Sequence, residues 1–210
     1  LYIDAGIVSR PEKFTGAFLH VCYSGDPAQA DKYLDPIRTA GTPMFDEIKA
    51  VDYVALQKSG DISDPRARGA YLKSGFVEGI SPALVDTLLE GFEPNPERGM
   101  AVVWQHAGGA IGRVAPDAMA FAHRGISHDT LFIMDWAMGI DATPHIEWLR
   151  SYFATVAPYT RGFYTNDLSD ESQAAVNKNY AGNYERLVQI KNQYDPTNLF
   201  RLNANVVPTV

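Results

Sequence analysis

Tyrosine side chains are the groups of this chain that could most directly take part in chemistry. Their hydroxyl groups can orient a substrate or relay a proton, and four of them lie in the C-terminal half: Tyr164, Tyr180, Tyr184 and Tyr194. We interpret the last three as core residues of an amphipathic helix, with each hydroxyl reaching a polar partner. A reactive role for Tyr164 stays open at this point.

Other catalytic patterns are weak or absent from the sequence. There is no glycine-rich dinucleotide or phosphate loop, no H-E-x-x-H zinc motif and no G-x-S-x-G nucleophile motif. A hydrolase triad of Ser127, His128 and Asp129 is disfavoured, because adjacent residues on a strand point to alternate faces. Four histidines have spacings that fit no standard metal site: His106, His123, His128 and His145. We predict no metal, and we place His145 at the surface.

Composition sets the class of protein. With 210 residues, of which 46% are hydrophobic, the chain can bury a full core. A net charge of −7 disfavours nucleic acid and anionic membranes as partners. Cys22, the single cysteine, cannot form an internal disulfide, and we expect it to be a buried strand residue. No apolar run reaches the ~20 residues of a membrane span and no signal peptide is recognised, so we expect a soluble, cytoplasmic protein.

Hydrophobic periodicity and turn residues predict an α+β fold. Strands are predicted over 14–23, 70–77, 100–107, 110–114, 130–136 and 162–166, and a polar loop over 60–68. The Gly108-Gly109 dipeptide predicts a hairpin between the third and fourth of these strands. Helices are predicted to begin at Asp26, Ser81 and Thr143, and 170–194 is predicted to be helical with a break near Gly182. We expect an antiparallel or mixed sheet of about six to seven strands, with helices mainly on one face.

Three blocks near the C-terminus carry a resemblance to a known family. They read G-F-Y-T-N at 162–166, Y-A-G-N-Y-E-R-L at 180–187 and I-K-N-Q-Y-D-P-T-N-L-F-R at 190–201. In this order they resemble the C-terminal signature of berberine-bridge-enzyme-like FAD-linked oxidases, of the vanillyl-alcohol-oxidase type. Upstream blocks extend the resemblance over nearly the whole chain, among them Y-L-K-S at 71–74 and F-A-H-R at 121–124.

The resemblance implies a partial chain: 1–158 as a substrate-binding domain and 159–210 as a C-terminal segment packed on it. The FAD-binding half that would precede Leu1 is expected to hold most of the cofactor. The implied reaction is oxidation of an alcohol-type carbon of a sugar, aromatic compound or secondary metabolite, by hydride transfer to FAD with dioxygen as acceptor. The fragment alone is expected to be inactive, and its uncovered sheet face could drive homodimerisation.

The resemblance also suggests residue roles. Tyr164 matches the tyrosine that faces the substrate in relatives, and Asn166 matches an asparagine that could hydrogen-bond the flavin ring. Leu131 lies where several relatives carry a polar catalytic group, so we expect it to line the substrate pocket and Asp129, two residues away on the same strand face, to act in its place. Tyr71 and Lys73 are expected to contact the substrate and the reduced cofactor, respectively.

Two alternatives stay open at this point. The chain could be a non-enzymatic ligand-binding or interaction domain of α+β type. It could also be a cofactor-free enzyme that uses the tyrosines and Asp129, which would require activity from this chain alone.

Overall fold

A computed structural model describes residues 1–61, 67–167 and 170–210. Its five strands are β1 (Tyr2–Arg10), β2 (Phe14–Cys22), β3 (Arg68–Val77), β4 (Arg98–His106) and β5 (His128–Ala137). Its helices are α1 (Ala30–Arg38), α2 (Tyr53–Lys58), α3 (Pro82–Gly91), α4 (Thr143–Val156), α5 (Gln173–Asn179) and α6 (Tyr184–Tyr194). The α+β class is confirmed. Most of the predicted loop over 60–68 lies outside the described residues.

One antiparallel sheet organises the molecule, with strand order β2-β1-β4-β5-β3. The described residues form five strands, fewer than the six to seven predicted. Helices α3 and α4 bury the same face of this sheet, where Leu84, Leu88, Leu149 and Val156 join strand residues such as Phe132 and Met134 in the main core. The prediction that helices pack mainly on one face holds for these two.

The predicted hairpin around Gly108-Gly109 is wrong. After β4 the chain passes into a short 3-10 helix, Ile111–Arg113, instead of a second strand. The hairpin is formed by β1 and β2, whose turn contains Glu12 at φ 58°. A Gly-Gly pair permits a tight turn, but pairing partners decide whether one forms, and β4 pairs with β1 and β5.

The predicted strand at 162–166 is also absent. An isolated bridge joins Arg161 to Phe76 of β3, and the chain then turns into a 3-10 helix, Thr165–Asp167. The following stretch confirms the predicted helices with a break, because the 3-10 helix Ala181–Asn183 separates α5 from α6. Gly162 has φ 60°, a conformation that turns the chain away from an extended path.

Capping residues mark the helix starts as the sequence indicates. The Ser81 side chain accepts a hydrogen bond from the Leu84 amide at the start of α3, with Pro82 in the first turn. Asp26 accepts from the Ala28 amide, ahead of α1. Helix α1 buries only Leu34, however, so its apolar stripe is not covered by the sheet as predicted.

Two surface assignments need correction. Cys22 is exposed, because β2 is the edge strand of the sheet. His145 is buried rather than at the surface: its ring packs against the guanidinium group of Arg98, with 3.2 Å between Nδ1 of the histidine and the arginine nitrogen. Arg98 in turn stacks on Trp148, 3.7 Å from the ring centre.

Candidate functional site

The face of the sheet opposite α3 and α4 carries the candidate site, and we call it the open face. Strand register defines it, since residues directly across from each other share a face. Leu131 of β5 lies between Val103 of β4 and Ser74 of β3. Ile133 lies between Ala101 and Leu72 in the next row. The centre of the open face is therefore largely apolar, and Leu131 within it is only 8% exposed.

Charged and polar residues bound this apolar centre on both sides. At one end Asp135 forms ion pairs with Arg10 and Arg68. At the other end Asp129 lies across from Gln105 of β4. As expected from alternation along β5, Asp129 and Leu131 lie on the same face of the sheet.

Tyr164 lies beside β3 at the margin of the open face. The amide of Arg161 donates to the Phe76 carbonyl at 2.9 Å, and the Tyr164 amide donates to Oγ of Ser74 at 3.2 Å. The Tyr164 side chain is 42% exposed, and its hydroxyl oxygen accepts a hydrogen bond from Nδ2 of Asn166 at 2.8 Å. The structure thus brings Tyr164 and Asn166 into direct contact, although they are not on a common strand.

A buried asparagine holds the backbone that leads to Tyr164. Oδ1 of Asn179 accepts from the Phe163 amide at 2.8 Å, and its Nδ2 donates to the Phe163 carbonyl at 3.0 Å. His123 packs against the same asparagine, with its Nε2 2.8 Å from the Asn179 carbonyl oxygen. A side chain at Gly162 would clash with both His123 and Asn179. Helix α5 therefore fixes the position of the Tyr164 segment.

Asp129 is the most perturbed acidic group of the open face. It is only 8% exposed, and its Oδ1 is buried without a hydrogen-bond partner. Burial, reinforced by the negative charge of Asp167, raises the pKa of Asp129 to about 7. Burial also raises the pKa of Asp167. A carboxyl group with a pKa near neutrality can accept and release protons under physiological conditions.

Tyr71 and Lys73 do not join this group. They alternate with Leu72 and Ser74 along β3, so they lie on the helix face. Nζ of Lys73 contacts carboxylate oxygens of Asp170 at 2.8 Å and Glu171 at 2.6 Å. This placement sets Tyr71 and Lys73 on the face opposite Leu131 and Asp129, and their roles in substrate and cofactor binding stay predictions.

The helix-face group instead anchors the chain at Asp170 and Glu171. The Tyr71 hydroxyl donates to Asp170 at 2.8 Å, and Arg150 of α4 pairs with the same carboxylate. Although burial opposes it, hydrogen bonds from Lys73, Tyr71 and Arg150 lower the pKa of Asp170 to about 2. Asp170 is thus a charged anchor between the sheet, α4 and the C-terminal segment.

Sequence reasoning missed Asp167, Asn179 and Asp170. Asp167 and Asp170 follow the Y-x-N motif directly, and their acidity so close to a candidate tyrosine was a usable signal. Nothing in the sequence pairs Asn179 with Phe163, since that contact depends on how α5 packs. Among the described residues, no group of three or more potential ligands could hold a metal ion. No helix within those residues is long and apolar enough to cross a bilayer.

Comparison with known proteins identifies the C-terminal segment. Residues 163–207, which include Tyr164, Asn166 and Asn179, match the family model "Berberine and berberine like". The chain is thus similar to berberine-bridge-enzyme-like proteins and FAD-linked oxidoreductases. An FAD-linked oxidoreductase of Dictyostelium discoideum is 26% identical over 98% of this chain, and the FAD-linked oxidoreductase YgaK of Bacillus subtilis is 28% identical over 89%. The chain spans 45% and 42% of these two relatives.

Solved structures share the fold of this chain. Xylooligosaccharide oxidase from Myceliophthora thermophila superposes with a TM-score of 0.79 at 20% identity, over 99% of this chain and 48% of that structure. The 6-hydroxy-D-nicotine oxidase of Arthrobacter nicotinovorans gives 0.77 at 20% identity, with the same coverage of 99% and 48%. The likeness extends over the sheet, α3, α4 and the C-terminal helices together.

Proposed function

We propose that this chain is the substrate-binding and C-terminal portion of a flavin-dependent oxidoreductase that oxidises an alcohol-type carbon of a sugar, aromatic compound or secondary metabolite. In this proposal residues 1–158 form the substrate-binding domain and 159–210 the segment packed on it. The FAD-binding half of the same protein is its partner, dioxygen is the acceptor, and the chain alone is inactive. The observation that carries the proposal is the open face, which has Asp129 on β5 and, at its margin, Tyr164 of the segment that matches the family model.

The open face suits a planar cofactor ring. Its centre presents Leu72, Leu131 and Ile133, which are apolar and not covered by α3 or α4. An apolar surface of this kind packs well against a ring system, and Asn166 at its edge could donate a hydrogen bond to a polar ring atom. The chain has no phosphate-binding loop, so the remainder of the dinucleotide must be held elsewhere. When bound, FAD would accept the hydrogen and electron pair removed from the substrate carbon.

The residues of the chain would supply binding and proton transfer. Ionised Asp129 would accept the proton of the substrate hydroxyl, which its pKa of about 7 permits near neutral pH. Tyr164 would hydrogen-bond the substrate, since its half-exposed hydroxyl already accepts a hydrogen bond from Asn166 and keeps its own proton to donate. Leu131 would pack against the substrate and exclude water from the Asp129 carboxylate.

The proposal is tested on the full-length protein. We expect it to be yellow, to absorb in the flavin bands, and to consume dioxygen and form hydrogen peroxide when given an oxidisable alcohol. Separately expressed residues 1–210 should be colourless and inactive. A colourless full-length protein that still binds small molecules would overturn the proposal and favour a non-enzymatic binding domain, and activity from residues 1–210 alone would favour a cofactor-free enzyme.

A further inference from the structure

A row of polar side chains crosses the open face at the Asp129 end of the sheet. Strand register sets Asp4 of β1 across from Gln105 of β4, and Gln105 across from Asp129 of β5. We call these three residues the polar row. Adjacent strands are about 4.8 Å apart, so the backbones of the two aspartates are separated by roughly 10 Å with the amide side chain between them. That span is comparable to a six-membered ring with its substituents.

One oxygen of each carboxylate in the polar row lacks a donor. Oδ1 of Asp4 and Oδ1 of Asp129 are each buried without a hydrogen-bond partner in the described structure. The Tyr2 hydroxyl hydrogen-bonds the Asp4 carboxylate, and Nδ1 of His20 is 3.7 Å from Oδ2 of Asp4. Within the described residues, no lysine or arginine forms an ion pair with Asp4 or Asp129. Buried acceptors without donors are costly, so a ligand that supplies donors would be favoured here.

An aromatic ring adjoins the polar row. A Cβ built on Gly6 would lie 2.9 Å from the Phe18 ring, which shows that this ring extends over Gly6 on the open face. Gly6 is two residues from Asp4 on the same strand, so the ring surface and the carboxylates are neighbours on one face. Apolar ring faces beside hydrogen-bonding groups suit a ligand with a C–H face and a polar rim.

We propose that the polar row of Asp4, Gln105 and Asp129 is the subsite that binds the hydroxyl groups of a polyhydroxylated, sugar-type substrate. Each ligand hydroxyl donates one hydrogen bond and accepts others, which matches two carboxylates flanking an amide that both donates and accepts. An aromatic alcohol with a single hydroxyl leaves at least one of these two carboxylate oxygens without a donor. An ammonium group has no acceptor for the amide hydrogens of Gln105. This inference rests on the proposed function, because it names the substrate class of the same site.

Binding without turnover tests the inference. The full-length protein is kept reduced with dithionite under anaerobic conditions, so that an alcohol cannot be oxidised, and titrated calorimetrically with D-glucose, D-glucosamine and benzyl alcohol. We expect D-glucose to bind more tightly than benzyl alcohol. Gln105→Leu and Asp4→Asn should each weaken D-glucose binding about tenfold, which corresponds to losing one or two hydrogen bonds to the ligand. Gln29→Leu, at an exposed glutamine ahead of α1, is the matched control and should leave binding unchanged.

The outcomes separate the two proposals. Tighter binding of D-glucosamine that falls steeply with salt would overturn the inference in favour of a cationic ligand. Preference for benzyl alcohol, or D-glucose binding that is unchanged in both row variants, would overturn it as well. A yellow protein that oxidises benzyl alcohol but does not bind D-glucose would leave the proposed function intact and remove only the polar-row assignment. Circular dichroism of each variant establishes that it is folded, and Asp4→Asn preserves side-chain shape should Gln105→Leu fail to fold.

Discussion

Asp129 and Asp167 bring two carboxyl groups together on the open face, and within the described residues neither forms an ion pair with a cation. Asp129 belongs to β5, an interior strand of the sheet. Asp167 belongs to the 3-10 helix that follows Tyr164. The negative charge of Asp167 and the burial of Asp129 act in the same direction, so the pKa of Asp129 rises to about 7. Two carboxyl groups in this relationship hold a proton that a solvated aspartate would have released.

Replacing Asp129 should remove the base of the proposed reaction. Because a positioned acid or base contributes roughly 10²- to 10⁴-fold, Asp129→Asn should lower kcat/KM by a factor in that range. In the unmodified protein the ionised form is the active one, so kcat/KM should rise with pH up to about 7 and then level off. Initial rates measured from pH 5 to pH 9 check both effects.

Asp135→Asn is the matched control for that variant. Asp135 lies on the same strand and face but is paired with Arg10 and Arg68. Replacing it should therefore leave the rise of kcat/KM between pH 5 and pH 7 in place. An Asp129→Asn protein that keeps the full pH-dependent rise would exclude Asp129 as the base.

Replacing Asp167 should change the acidity of Asp129 without removing Asp129. Asp167→Asn eliminates the like charge, so the pKa of Asp129 should fall and its ionised form should persist to lower pH. Infrared titration of the protonated carboxyl band reads this directly and needs no turnover. Asp167→Glu retains the charge and should retain the raised pKa. An identical titration for the asparagine variant would contradict the coupling of the two groups.

Removing the Tyr164 hydroxyl should slow the proposed reaction while leaving the fold intact. The segment is held by backbone contacts to Ser74 and Asn179, which Tyr164→Phe preserves. We expect kcat to fall roughly tenfold or more, since one positioned hydrogen bond to the substrate is lost. Tyr194→Phe, at a tyrosine that is 76% exposed, should be neutral. Equal rates for the Tyr164→Phe variant and the unmodified protein would place Tyr164 outside the reaction.

Removing the Asp170 carboxylate should destabilise the protein in a pH-dependent way. The folded-state pKa of Asp170, about 2, is below the ordinary value near 3.9, so its stabilising contribution is fully present above pH 4 and disappears as pH falls toward 2. Because Asp170 is about one-third exposed, we expect Asp170→Asn to cost on the order of 1 kcal/mol at pH 7. Urea unfolding at pH 7 and pH 2.5 should give a large difference between the two proteins only at the higher pH. A constant difference would contradict this anchor.

Residue patterns predicted the helices and strands that are determined by neighbouring residues in the sequence. Serine and proline at 81–82 start α3, and alternation along β5 correctly sets Asp129 and Leu131 on the face opposite to Phe132. The sequence pattern could not show whether Tyr71 and Lys73 or Leu72 and Ser74 lie on the helix face of β3, since an alternating strand can turn either set toward the helices. The pairing of β3 with β5 turns Ser74 toward Tyr164 and Lys73 toward the helices.

Contacts across long sequence separations were the other source of error. Asn179 hydrogen-bonds the Phe163 backbone, and Arg98 packs on the ring of Trp148. Both contacts depend on how helices pack against the rest of the chain, and a single sequence has no local signal for that packing. The same is true of the 3-10 helix at Thr165–Asp167. It replaces a predicted strand because β3 pairs with this segment only at Arg161 and through the Gly162 carbonyl.

The segment around Arg161 also governs how copies of the sheet can meet. β3 is an edge strand, yet its Phe76 backbone is hydrogen-bonded to Arg161 and Gly162. On the helix face of β3, Lys73 forms an ion pair with Asp170 of the C-terminal segment. At the opposite edge β2, which ends at the exposed Cys22, pairs only with β1 among the described residues, so its outer backbone groups have no strand partner there. Strand-to-strand association, and with it any fibrous aggregate of destabilised molecules, should therefore begin at β2 and not at β3.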